Sequence, residues 1–135
     1  MAVVTELLKA NEDGSLSFGN YELETKTKLA DFSVGGDVYK VKTFKEITKL
    51  EKNEMLVYES EPGTAVTGFA QTADGVKFVL DTPEDAQVIL GLEEGTSYRV
   101  TIGDREEGTA STNMGGKLVL SLEAGEGVEV TVTKA

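Results

Sequence analysis

The chain has no cysteine, no histidine and no tryptophan, and only two prolines among its 135 residues. Without cysteine there is no disulfide staple and no thiol nucleophile. Without histidine there is no imidazole base, and zinc or haem sites that rely on either ligand are excluded. No cofactor is expected. A cysteine-free chain survives equally well in reducing and oxidising surroundings, so redox compartment stays open. Basic residues are also scarce: 13 against 24 acidic ones give a net charge of −11. A surface of that sign repels nucleic acid and anionic membranes, and neither is expected as a partner. No apolar run approaches the ~20 residues that cross a bilayer as a helix. The start Met1-Ala2-Val3-Val4-Thr5-Glu6 has no basic leader ahead of a long apolar core, so a soluble chain, cytoplasmic by default, is the expectation.

What is present is rhythm. From Thr64 onward, runs of β-branched and apolar residues begin near Thr64, Val76, Ala86, Ser97, Gly108, Lys117 and Gly127. An antiparallel strand with its tight connection consumes about 8 to 12 residues, and this spacing fits. Within the runs Tyr98, Val100 and Ile102 face one way while Ser97, Arg99 and Thr101 face the other; Leu118, Leu120, Leu122 and Val128, Val130, Val132 repeat the pattern. Period-two alternation marks a strand with one buried face. Asp74-Gly75, Thr82-Pro83-Glu84-Asp85, Glu93-Glu94-Gly95, Gly103-Asp104, Gly115-Gly116 and Gly125-Glu126-Gly127 supply the turns. Apart from turn glycines no side chain recurs once per period, which argues against a β-solenoid. An all-β, antiparallel β-sandwich over residues 63–135 is the expectation.

The first 62 residues read as a hairpin-rich β subdomain, closed by Glu61-Pro62-Gly63. Val3-Val4-Thr5-Glu6-Leu7-Leu8 has apolar residues spaced for a short helix, which must dock on the body or on a neighbouring copy because helices below ~12 residues are marginal alone. Gly19-Asn20 is expected to join Ser15–Phe18 to Tyr21–Glu24 as a two-residue hairpin. Ser33-Val34-Gly35-Gly36-Asp37 joins two further strands, the second with Tyr39 and Val41 on one face and Lys40 and Lys42 on the other. Thr43–Leu50 fits a capped helical turn or a hairpin, and β-branched Ile47 and Thr48 favour the hairpin. Met55, Leu56, Val57 and Tyr58 are apolar on both faces, so their strand is expected inside the fold.

No constellation of residues carries an obvious chemistry. The densest oxygen-ligand clusters are Asp81-Thr82-Pro83-Glu84-Asp85 and Asp104-Arg105-Glu106-Glu107. Asp81, Glu84 and Asp85 are the weak metal candidates, but neither run has the ligand spacing of an EF-hand loop, and solvated turns explain both. Carboxylate pairs for glycoside hydrolysis must lie about 5 to 10 Å apart in a cleft, which no spacing here fixes. The Gly35-Gly36 and Gly115-Gly116 segments lack the strand-to-helix context of a phosphate loop. Tyr39, Tyr58 and Tyr98 could stack on a sugar, although core roles fit them better. No catalytic residue is assigned and the ligand-binding residues stay open.

Leu92-Glu93-Glu94-Gly95-Thr96-Ser97-Tyr98-Arg99-Val100-Thr101-Ile102 resembles the stretch of fibronectin type III domains in which a leucine precedes by six residues the tyrosine that opens an inward-alternating strand. The resemblance implies an Ig/fibronectin III-like sandwich with a tyrosine corner, Leu92 and Tyr98 in structural roles and the Tyr98 hydroxyl bonded to nearby backbone. Asp13-Gly14-Ser15-Leu16-Ser17-Phe18-Gly19-Asn20-Tyr21 and the stretch from Tyr39 to Lys52 resemble a group of short bacterial proteins labelled endosialidase. That label implies a glycan-active enzyme. A sialidase, however, grips the sugar carboxylate with three arginines, and this chain has only Arg99 and Arg105.

The leading expectation is a non-catalytic all-β binding or assembly module that contacts a protein or glycan partner. A glycan-active enzyme of the endosialidase type is the alternative from another class. A structural subunit of a virion or other large assembly, with homo-oligomers formed through exposed edges and the terminal Val3–Leu8 segment, is the third.

Overall fold

A computed structural model describes residues 2–135, and every regular element in them is a β-strand. The strands are β1 (Leu8–Ala10), β2 (Leu16–Phe18), β3 (Thr27–Val34), β4 (Asp37–Phe44), β5 (Ile47–Lys52), β6 (Met55–Glu61), β7 (Ala65–Thr72), β8 (Gly75–Thr82), β9 (Ala86–Gly91), β10 (Ser97–Ile102), β11 (Arg105–Ser111), β12 (Lys117–Leu122) and β13 (Gly125–Lys134). They form a seven-stranded sheet in the order β1-β2-β7-β8-β13-β10-β11 and a six-stranded sheet in the order β12-β9-β6-β5-β4-β3. All pairings are antiparallel.

The inward faces are those that the alternation marks. Tyr98, Val100, Leu118, Leu120, Leu122, Val130 and Val132 are buried in one cluster with Val41, Leu50, Tyr58, Val66, Phe78, Leu80 and Leu90 from both sheets. Phe18, Tyr58, Phe69 and Phe78 meet at its centre, edge-on except for the tilted Phe69–Phe78 pair, with ring centroids 5.2 Å apart for Phe18 and Tyr58 and 5.8 Å for Tyr58 and Phe78. Such pairs add about 0.5–1.5 kcal/mol each beyond the area they bury. Lys45-Glu46 turns β4 into β5, so the hairpin reading of Thr43–Leu50 is the correct one. Gly35 and Gly36, with φ of 57° and 87°, make the tight β3–β4 turn, because a two-residue hairpin whose twist matches its strands needs positive φ at both positions. β6, apolar on both faces, lies third from one edge of its sheet, although its first residue Met55 is exposed.

Three expectations are corrected. The segment Val3–Leu8 is not helical: the Val4 N–H donates to the Gly19 carbonyl and the Gly19 N–H to the Leu7 carbonyl, so Val4 is buried against the chain's own β1–β2 unit. Gly19-Asn20 is not a hairpin turn, and no strand follows it before β3. Gly19 (φ 100°) lies so close to the Thr64 carbonyl that a Cβ would collide with it, while the Asn20 N–H donates to Thr43 Oγ1 at 2.8 Å. Residues 1–62 and 63–135 do not form separate units, because β2 pairs with β7 and β6 with β9. Glu61-Pro62-Gly63 is instead the corner at which the chain leaves the six-stranded sheet for the seven-stranded one.

A buried polar network clips that corner. Thr48 Oγ1 donates to the Thr64 carbonyl at 2.9 Å and accepts the Thr64 N–H at 3.1 Å. Its single proton is thereby used, so the 2.9 Å contact with Thr43 Oγ1 has Thr43 as donor. Thr64 Oγ1 in turn meets Tyr58 Oη at 2.7 Å and Ser60 Oγ at 2.8 Å. Burial pushes the Tyr58 phenol well above its ordinary value.

Candidate interaction face

The outward face of the six-stranded sheet follows from its register. Lys28 on β3 lies directly opposite Lys42 on β4, and Lys42 directly opposite Lys49 on β5. The three form a row perpendicular to the strands at the ~4.8 Å strand spacing. Lys40 stands two residues along β4 from Lys42, opposite Glu51, and Lys49 is flanked on its other side by Glu59. Phe44, half-buried, borders the row, with the Lys26 ammonium 5.8 Å from its ring centroid.

Like charges directly opposite each other destabilise a sheet pair, and here nothing at ion-pair distance offsets them. Among the described residues the ion pairs are Lys45–Glu24 (2.9 Å), Lys52–Asp37 (3.6 Å), Arg99–Glu106 (3.5 Å), Arg105–Glu107 (3.9 Å) and Lys134–Glu93 (2.5 Å). None involves Lys26, Lys28, Lys40, Lys42 or Lys49. The ammonium of Lys28, then that of Lys40, partial burial, and Lys49 and Lys26 hold Lys42 below the ordinary lysine range. Residues 26–52 carry seven of the 13 basic residues and only four of the 24 acidic ones. That three-stranded piece is therefore positive in a molecule whose remainder is strongly negative.

The expected site residues are dispersed. The Tyr98 hydroxyl accepts the Glu93 N–H at 3.2 Å, with the ring buried at the start of β10 and Leu92 packed against the core. Asp81 is a latch: its Oδ1 accepts the Gly127 N–H at 2.5 Å and its Oδ2 the Ala2 N–H at 3.0 Å. Asp85 Oδ1 accepts the Ala124 N–H at 2.9 Å, and the Glu84 carbonyl accepts the Thr82 hydroxyl at 2.6 Å. Among the described residues no three carboxylates converge as metal ligands. Tyr39 and Tyr58 point into the core, and no described helix is long and apolar enough to cross a membrane.

A comparison with known proteins finds no matching family, no matching curated protein and no matching solved structure.

An open groove of about 740 Å³ continues from the lysine row towards the β3–β4 and β5–β6 turns, lined by Ala30, Asp31, Val38, Lys40, Glu51 and Asn53 among others. Its charges are mixed, and it is a depression beside the face rather than an enclosed cleft. Sequence reasoning missed the lysine row as a unit. The alternation of Lys40 and Lys42 against Tyr39 and Val41 shows that they leave the core, and Lys26 and Lys28 have the same spacing. What brings Lys28, Lys42 and Lys49 together is cross-strand register, which depends on the β3 bulge between Leu29 and Phe32 as well as on the turns.

Proposed function

We propose that the protein is a non-catalytic β-sandwich module, related to the Ig and fibronectin III type, that works by surface contact with a protein or glycan partner. The observation that carries this reading is the row Lys28, Lys42, Lys49, three ammonium groups set side by side without a carboxylate partner in an acidic molecule. A cationic face with low-dielectric backing focuses its field outward and favours an anionic surface. The Tyr98–Glu93 contact supports the fibronectin-like relation, because a buried tyrosine bonded to backbone a few residues upstream is the mark of that corner.

The test is chromatography of the full chain on immobilised sulfated polysaccharide and on immobilised polyglutamate at neutral pH. The parent is expected to be retained at low salt on at least one of them, despite a sequence pI near 4.4, and the Lys28→Gln/Lys42→Gln/Lys49→Gln variant is expected to pass through. Passage of parent and variant alike overturns the reading. Incubation with acidic glycans, followed by size analysis, tests the enzymatic alternative: chain shortening would replace the module reading with an endosialidase-type activity.

A further inference from the structure

We infer that the lysine row is a docking face for a second copy of this chain, and that its counterpart is the acidic end of the sandwich where β8 turns into β9, β10 into β11 and β12 into β13. This inference rests on the reading of the protein as a contact module and names the partner.

Two surfaces of this one chain are complementary in charge. Register places these turns at the same end: Thr82 is opposite Gly125, Ala86 opposite Leu122, and Ile102 pairs with both Arg105 and Val130. Glu84, Asp104 and Glu123 project there, each exposed and without an ion pair among the described residues. Asp81, Glu106, Glu107 and Glu126 belong to the same end. Its field is felt by Tyr21: burial first, then the carboxylates of Asp81, Glu22 and Glu126, hold that phenol above its ordinary value. The acidic excess left by residues 26–52 is thus gathered partly into one surface, and the positive excess lies on another.

The two surfaces are different patches, so the contact is heterologous. It joins copies head to tail and yields rings or open chains rather than a closed two-fold dimer. A contact of this kind is short-ranged, because at ~0.1 M ionic strength charges interact over about 10 Å. The net repulsion between two acidic copies is then screened, while opposed patches still meet.

Sedimentation of the full chain across a wide concentration range at ~0.1 M and ~1 M salt reads the assembly directly. The expected result is an average mass that climbs past twofold with concentration at the lower salt and returns to the monomer at the higher. Two neutralised variants sharpen it: Lys28→Gln/Lys42→Gln/Lys49→Gln removes the face, and Glu84→Gln/Asp104→Asn/Glu123→Gln removes the end. Each alone is expected to be monomeric, and their equimolar mixture is expected to stop at a twofold mass, because only one complementary contact survives. Circular dichroism of each variant verifies that it is folded.

A parent that stays monomeric throughout, or a face variant that assembles like the parent, overturns the inference. If that monomeric parent still binds sulfated polysaccharide or polyglutamate through its lysines, the module reading survives and the second copy is the wrong partner. If it binds neither, both fall together.

Discussion

The hydroxyls of Tyr98 and Thr48 each tie a buried side chain to backbone, one accepting the Glu93 N–H and the other donating to the Thr64 carbonyl. The resemblance of Leu92–Ile102 to a fibronectin type III stretch implies a structural role for Tyr98, whose ring is buried and whose hydroxyl accepts the Glu93 N–H at 3.2 Å. Tyr98→Phe keeps the ring and removes that acceptor, so urea unfolding is expected to report a loss of about 0.5–1.5 kcal/mol with the spectrum of the folded state unchanged. Thr48 gave no comparable signal. A threonine in a β-branched run reads as an ordinary strand residue, and only the corner that brings Thr64 beside it reveals three hydrogen bonds on one oxygen. Thr48→Val preserves shape but strands the buried Thr64 N–H and the Thr43 hydroxyl. The expected loss is about 1–3 kcal/mol, larger than that of Tyr98→Phe, whose orphaned N–H lies nearer to water. Equal losses for the two substitutions in the same denaturant series would contradict the network as described.

Strands and hairpins were the most legible elements, since alternation and turn residues are local. β9, β10 and β12 begin at Ala86, Ser97 and Lys117, where the rhythm put them. β11 and β13 begin earlier than their glycines, at Arg105 and Gly125, because Gly108 and Gly127 sit within the strands at register shifts rather than before them. The Gly19-Asn20 step was misread for a related reason. Glycine permits a turn, but it also permits close approach of two backbones, and sequence does not distinguish the two uses. Gly19 serves the second, lying against Thr64 next to the buried threonine network. Gly19→Ala is expected to cost more than the about 1–3 kcal/mol of a strained backbone alone, because its Cβ also meets the Thr64 carbonyl. Gly14→Ala is the control: it has a similar φ of 89° in open space. Thermal melting of the pair should lower the midpoint of Gly19→Ala well beyond that of Gly14→Ala.

The arrangement of the strands into sheets was not legible, because β2–β7, β6–β9 and β8–β13 pairings are long-range and no local signal chooses them. The expected division at Pro62 failed on this point, whereas the lysine face, built on consecutive hairpins, was hidden by the register that the β3 bulge sets. Once the register is known, the face makes a claim about the molecule as a whole: the opposed lysines work against the fold, and under the contact reading proposed above that is the compromise expected at a functional surface. The claim has a sign. Lys42 is held below its ordinary value of 10.5 chiefly by Lys28 and Lys40, so the folded chain releases that proton at a lower pH than the unfolded chain does. The unfolded state then binds more protons in the interval just below 10.5, and stability contributed by this group rises with pH there. At neutral pH the repulsion is fully present. Lys42→Gln should therefore be at least as stable as the parent at pH 7, and the parent should gain on it as the pH rises towards 10.5. Urea midpoints of both proteins across that interval decide it. Taken with retention on a polyanion, the outcome separates two kinds of lysine. One that merely solubilises the sheet would leave retention unmoved, whatever its substitution does to stability. One kept for an anionic partner would lose binding on substitution while the fold holds or improves.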